Sequence, residues 1–307
     1  MNIIFFGSSS FSVPPLKSVS SYVSCVITKK AKPKGRGYLL EDNEVKKTAL
    51  ELGLPFIEIA SFKDEEAAQH LKDYRPDLFI VASFGLIIPR WVLDIPSMGA
   101  INIHPSLLPL YRGPSPIQWA LLKGDKETGI TLINMNEKMD AGNVIYQKNM
   151  MIAEKDNFVT LSDRLSRRSA GILLEVLDVI EIEGMVEGVE QRHEMSTFTQ
   201  IITKEMGKVD WSKSALEIVR QIKAFVLWPT AHTLLDGVLL KIFDGEIFGS
   251  GRKALPGTIL ETIKDGIVVQ TGNGAIIARE VQLQNKKRMN AFEFANGYRG
   301  LIGKILE

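Results

Sequence analysis

One cysteine in 307 residues rules out an internal disulfide and excludes most cysteine-based metal sites. Cys25 lies in the apolar run YVSCVIT, where a buried structural thiol is expected rather than a nucleophile. The four histidines (His70, His104, His193 and His232) show no metal-ligand spacing, so no metal is expected. Charge of one sign is scarce too. With 37 Lys and Arg against 36 Asp and Glu the formal net charge is +1, so contact with a polyanion must rest on local basic patches. No apolar run approaches a membrane span, and the opening MNIIFFGSSS reads as a strand and turn rather than a cationic leader. A cytoplasmic protein without membrane contact is the expectation. The phosphate loop Gly-x-Gly-x-x-Gly is also missing, since FGSSSF stands in its place, which argues against a nicotinamide dehydrogenase.

What is present alternates. Apolar runs at 2–7, 22–28, 77–85 and 99–104 read as strands, the third as one buried on both faces. Residues 44–54 and 63–74 carry helical spacing, with Val45, Ala49 and Leu52 on one side of the first. Alternating strands and helices predict a doubly wound, mostly parallel α/β sheet, with ligands beyond the carboxyl ends of its strands. A helix follows GPSP, then two strands across 128–152 joined around Asp140, and a long helix over roughly 158–183. The stretch 184–208 has little periodicity and reads as a linker. From Val209 onward the pattern becomes one amphipathic helix at 212–225 and short strands with Asp-Gly or Asn-Gly turns at Asp236, Asp265 and Asn273. The expectation is a catalytic domain over 1–183 and a smaller β barrel of oligonucleotide-binding type over 209–307. From Glu205 on, 14 basic residues face 11 acidic ones, so the tail is positive. Trp211 and Trp228 read as packing residues rather than base-stacking platforms.

AINIHPSLLPLYRGPSP, at 100–116, carries the chemistry. Residues two apart on a strand share a face, so Asn102 and His104 project together at a strand end, and Pro105 holds the histidine extended. An amide beside an imidazole suits acyl transfer, because both can donate to a carbonyl oxygen as charge develops on it. Asp140, in the KMDAGN turn, is the candidate carboxylate for orienting the imidazole or relaying a proton. No neighbouring serine or cysteine looks like an activated nucleophile, so the substrate must bring its own. Taken singly, Asn-x-His and Asp-Ala-Gly are each more often structural than catalytic; their combination is what points to a site.

The combined pattern resembles the signature of the 10-formyltetrahydrofolate-dependent formyltransferases: Asn-x-His-x-Ser-Leu-Leu-Pro, Arg-Gly-x-x-Pro-Ile, Thr-Gly-x-Thr and Met-Asp-x-Gly are all here. The resemblance implies a formyltransferase-type Rossmann-like fold, with Asn102, His104 and Asp140 as the catalytic trio. It implies 10-formyltetrahydrofolate as co-substrate, against Ser106, Leu107, Leu108 and Pro109 and against Phe84, Gly85, Leu86 and Ile88 of SFGLIIP. Over its whole length the chain is most similar to members that formylate methionyl-tRNA. That implies initiator methionyl-tRNA as partner and a role in translation initiation; a monomer is the expectation. Members acting on an amino sugar nucleotide are the alternative. Two departures are local: Ser8-Ser9-Ser10-Phe11 replaces Thr-Pro-x-Phe, and Pro114-Ser115 replaces Ala-Ala. The segment TKKAKPKGRGY resembles the tRNA-facing loop of those members and puts Lys34 and Arg36 forward as tRNA contacts. Lys286, Lys287 and Arg288 in the tail are further candidates for phosphate contact.

Overall fold

The computed structural model describes residues 1–30, 33–34, 39–62, 70–249, 251 and 253–307, those at 33–34 and 39–40 as backbone alone. By internal contacts the chain divides into two compact units. Met1–Pro116, Glu127–Met151 and Ser162–Thr199 make the first; Ile117–Lys126, Ile152–Leu161 and Gln200–Glu307 make the second.

The first unit is built on β1 (Ile3–Gly7), β2 (Val23–Lys29), β5 (Phe56–Ile59), β6 (Leu78–Ala82), β7 (Ala100–His104), β8 (Glu127–Asn134) and β9 (Val144–Met151), while β3 (Pro33–Lys34) and β4 (Leu39–Leu40) form a small antiparallel ribbon. The sheet runs β5-β2-β1-β6-β7-β8-β9. Its first five strands pair in parallel, and β8 and β9 add an antiparallel edge. Every residue of IIFFG and LFIVA is buried, as expected of central strands covered on both faces. Phe6 anchors one layer, with the rings of Phe79 and Phe84 edge-on at 4.9 and 5.4 Å. The chain winds outward from β1 to β2 and β5, then returns to β6 on the other side of β1. That reversal puts the switch point, where ligands collect in open α/β sheets, at the carboxyl ends of β1 and β6, and β7 ends next to it. Of the helix expected over 63–74, residues 63–69 lie outside the described residues, and 70–73 are helical. The long helix expected near 158–183 is found at Phe158–Glu183.

The second unit holds an antiparallel sheet of β10 (Ala231–Leu235), β11 (Val238–Phe248), β12 (Ile259–Ile263), β13 (Gly266–Gln270) and β14 (Ala275–Leu283), in the order β10-β11-β14-β13-β12, with β15 (Met289–Asn290) beside β14. Asp236 and Gly237 turn β10 into β11 with φ of 49° and 76°, as a primed hairpin turn requires. The last residues bridge the two edges. Leu234 and Glu307 exchange main-chain hydrogen bonds of 2.9 and 3.0 Å, while Ile259 N donates to Lys304 O and Leu306 N to Gly257 O. The edges therefore do not stay open, and the sheet closes as a small barrel. The helix Ala215–Ala224 starts with a capping box between Ser214 and Glu217 and buries Ile218, Val219 and Ile222 in the barrel's core. Among the described residues, no helix is long and apolar enough to cross a membrane.

Candidate active site

Asn102 and His104 share one face of β7, held in register by Val81 on one side and by Ile133 and Thr131 on the other. The loop after the strand is pinned back onto the sheet. Ser106 Oγ donates to Leu110 O (2.7 Å), Thr131 Oγ1 donates to Ser106 O (2.6 Å) and accepts from Leu108 N (3.2 Å), and Gln147 Nε2 donates to Leu108 O (2.8 Å). The loop thereby returns Tyr111 O to within 3.0 Å of His104 Nε2. A carbonyl oxygen only accepts, so Nε2 carries a proton and Nδ1 is the nitrogen free to hold or release one.

Nδ1 faces Asp140, whose Oδ1 lies 3.6 Å away. The same oxygen accepts from Asn102 Nδ2 at 3.2 Å, and Oδ2 accepts from Gly113 N at 2.8 Å. The carboxylate is thus a hub between two side chains on β7 and one main-chain amide. Asp140 reaches this position from the β8–β9 turn with φ of +50°. Gly142 follows because a Cβ there would run into Asn134 O. His104 is 4% exposed, so its electrostatic interactions act in a poorly solvated setting.

Three participants were not legible from the motifs. Tyr111 O and Gly113 N are main-chain groups in a loop where Tyr111 has φ of 60° and Gly113 of 104°. The third is a side-chain network. Buried Arg112 donates through its Nε and a terminal nitrogen to Gln191 Oε1 (3.1 and 2.6 Å), and that terminal nitrogen also donates to His193 Nδ1 at 2.8 Å. Gln191 Nε2 donates to Asp140 O (2.9 Å) and Gly142 O (2.7 Å). Burial pulls the Arg112 guanidinium below its ordinary pKa, and the charge of Asp140 works the other way. An aperiodic stretch gave no sign of this. Yet residues 184–199 are stitched to the first unit, with Val189 exchanging main-chain bonds with Val144 and Thr199 N donating to Arg112 O.

The remaining candidates are placed variously. Ser106 and Leu108 are buried in the pinned loop, and Leu107 is half-buried. Leu108–Pro109 is a cis peptide. Phe84 and Ile88 turn into the core, Leu86 packs against it, and Gly85 is exposed with φ of 69°. Arg36 lies outside the described residues, and Lys34 is described only by its backbone in β3. Lys286 and Lys287 are exposed, whereas Arg288 already has a carboxylate: its fork closes on Glu280 at 2.6 and 2.5 Å, above the ring of Phe243. Cys25 is fully buried, and burial pushes its thiol pKa up, as suits a packing residue. Among the described residues, no group of three or more His, Cys, Asp and Glu side chains is placed to hold a metal ion.

Residues 1–177 match the family model Formyl transferase, and 201–299 match Formyl transferase, C-terminal domain. The chain belongs to the formyl transferase family. Similar curated members include the methionyl-tRNA formyltransferase of Agathobacter rectalis, 38% identical over 97% of this chain and 96% of that one. The Staphylococcus aureus enzyme of the same name is 39% identical over 99% of both. Two solved structures share the fold. HypX from Aquifex aeolicus, in complex with tetrahydrofolic acid, superposes with a TM-score of 0.71 at 18% identity over 99% of this chain, which spans 48% of HypX. WlaRD, a sugar 3N-formyl transferase, superposes with a TM-score of 0.65 at 20% identity over 94% of this chain and 99% of that one.

Proposed function

We propose that this formyl transferase moves the formyl group of 10-formyltetrahydrofolate onto the α-amino group of initiator methionyl-tRNA. The observation that carries the chemistry is the single carboxylate, Asp140, holding Asn102 by hydrogen bond and His104 by proximity at the strand end. The acceptor follows from relatives of that name matching nearly the whole chain.

Asn102 has two amide hydrogens. One is held by Asp140, which fixes the amide plane and leaves the other for the formyl oxygen. His104, protonated at Nδ1, is the second donor. The neutral α-amine attacks the formyl carbon, the C–N bond forms, and the oxygen takes up the negative charge between these donors. The amine's proton passes to Asp140, directly or through water. Folate N10 receives a proton from His104 as the C–N10 bond breaks, so the proton lost by the amine is balanced by the one gained at N10. For the folate, the segment 83–89 follows β6 without regular secondary structure, so its main-chain groups stay outside the sheet's ladder and suit a flat heterocycle rich in donors and acceptors. Leu107, Leu108 and Pro109 supply the facing wall.

For the tRNA, the basic loop with Lys34 and Arg36 and the exposed Lys286 and Lys287 are the proposed phosphate contacts. Arg288 has less to offer while Glu280 holds it. The acceptor is tested by supplying labelled 10-formyltetrahydrofolate with charged initiator tRNA and, in parallel, with an amino sugar nucleotide. Label is expected on the methionyl group. Label only on the sugar would overturn the acceptor and leave the chemistry standing.

A further inference from the structure

The Asp140 turn is in an unfavourable conformation and yet sharply placed. A non-glycine residue at φ of +50° costs roughly 1 kcal/mol or more and persists only where its surroundings fix it. What fixes it comes from a distant part of the sequence. Gln191 is 5% exposed, and all four of its side-chain hydrogen-bonding positions are used. Its two amide hydrogens go to Asp140 O and Gly142 O, on either side of the turn's apex. Its oxygen takes two bonds from Arg112, whose own main chain is fastened by Thr197 O and Thr199 N. Arg112 in turn directly precedes Gly113, the amide that holds the other carboxylate oxygen of Asp140.

We infer that Gln191 is a positioning residue for formyl transfer: it grips the Asp140 turn from behind and aims the carboxylate at Asn102 and His104, with Arg112 locking the glutamine amide in the one orientation that can do so. The orientation follows from hydrogen-bonding chemistry. An arginine has only donors, so it selects the glutamine oxygen and turns the NH2 group toward the two carbonyls. Without that lock the amide could flip and put its oxygen against two other oxygens. Neither residue touches the reacting atoms. Their effect passes through the direction of one carboxylate, where displacements of about 1 Å are enough to cost two orders of magnitude in rate.

This inference rests on the formyl-transfer reading. Its decisive variant is Gln191→Glu, which keeps the acceptor oxygen for Arg112 but replaces two donors with an oxygen facing Asp140 O and Gly142 O. Gln191→Met, which adds no charge, is the control. Both are expected to lower kcat by about 30-fold while KM for folate and acceptor stays within about threefold, because aim is lost rather than binding. In an Asp140→Asn background, measured in single turnover with excess enzyme, the Gln191 substitutions should add less than about threefold, since the group they aim is already gone. The His104 ring signals, followed by NMR at fixed pH, should move in Gln191→Met toward those of Asp140→Asn. A folded Gln191→Glu protein with kcat within about threefold of the parent would overturn the inference. So would an undiminished Gln191 effect in the Asp140→Asn background, or unmoved His104 ring signals. If the parent protein itself transfers no formyl group, the functional reading fails instead, and the NMR comparison of the His104 ring signals still decides whether Gln191 aims Asp140.

Discussion

His104→Ala is expected to lower kcat for formyl transfer by about a thousandfold while leaving folate affinity nearly unchanged. The imidazole is held at one nitrogen by Tyr111 O and presents the other beside Asp140, so its removal takes away both an oxyanion donor and the acid for the leaving N10. The ring is buried, and alanine in its place leaves a cavity beside Asp140 that water can enter but cannot use with the same geometry. The expected signature is therefore a fall in kcat with little change in KM, read from steady-state rates alongside equilibrium binding of the folate. A comparable loss of folate binding would place His104 in binding instead.

Asn102→Ala is the second large effect, expected at about 100-fold or more in kcat, the usual consequence of losing one donor to a developing oxyanion. The substitution also frees Asp140 Oδ1 from its 3.2 Å hydrogen bond, so the carboxylate would turn toward His104. Restoring an amide in the wrong place should not rescue it. Asn102→Gln, one methylene longer on the same strand face, is expected to remain slow. Full activity in Asn102→Gln would show that the site needs only an amide nearby, contrary to the fixed geometry of β7.

The shared face of Asn102 and His104 was legible in the sequence because it rests on a period. Two-residue spacing at the end of an apolar run puts Asn102 and His104 on one face in any strand, and the alternation of strands and helices puts that end at a crevice. Asp140 was legible as a turn carboxylate and a candidate partner for the imidazole, but its meeting with His104 is a fact of tertiary structure. The parts that escaped have no period at all. Tyr111 O and Gly113 N are main-chain groups aimed by left-handed backbone, and any residue carries them. Gln191 sits in the aperiodic stretch that reads as a linker, yet its amide is buried under the Asp140 turn. Leu52 shows the opposite failure: helical spacing put it on the buried side of its helix with Val45 and Ala49, but it caps the helix end and is 40% exposed. Trp211 packs as expected, its Nε1 donating to Thr233 Oγ1, while Trp228 stands 55% exposed, because a large aromatic's burial is set by neighbours that composition does not reveal. The barrel was legible from its three tight turns, but its closure depends on the residues at 304–307 pairing with both edges, which no local pattern announces.

The measurement that bears most directly on the central claim, that one carboxylate organises two donors for formyl transfer, is the single-turnover rate of Asp140→Asn as a function of pH. Formyl-labelled folate and charged initiator tRNA are the substrates. Asparagine can keep one acceptor for either Asn102 Nδ2 or Gly113 N, but not both, and it cannot take the amine's proton. The account predicts folate binding near the parent's and transfer slower by about 100-fold across the whole pH range. Transfer by Asp140→Asn at the parent's rate at every pH would contradict it.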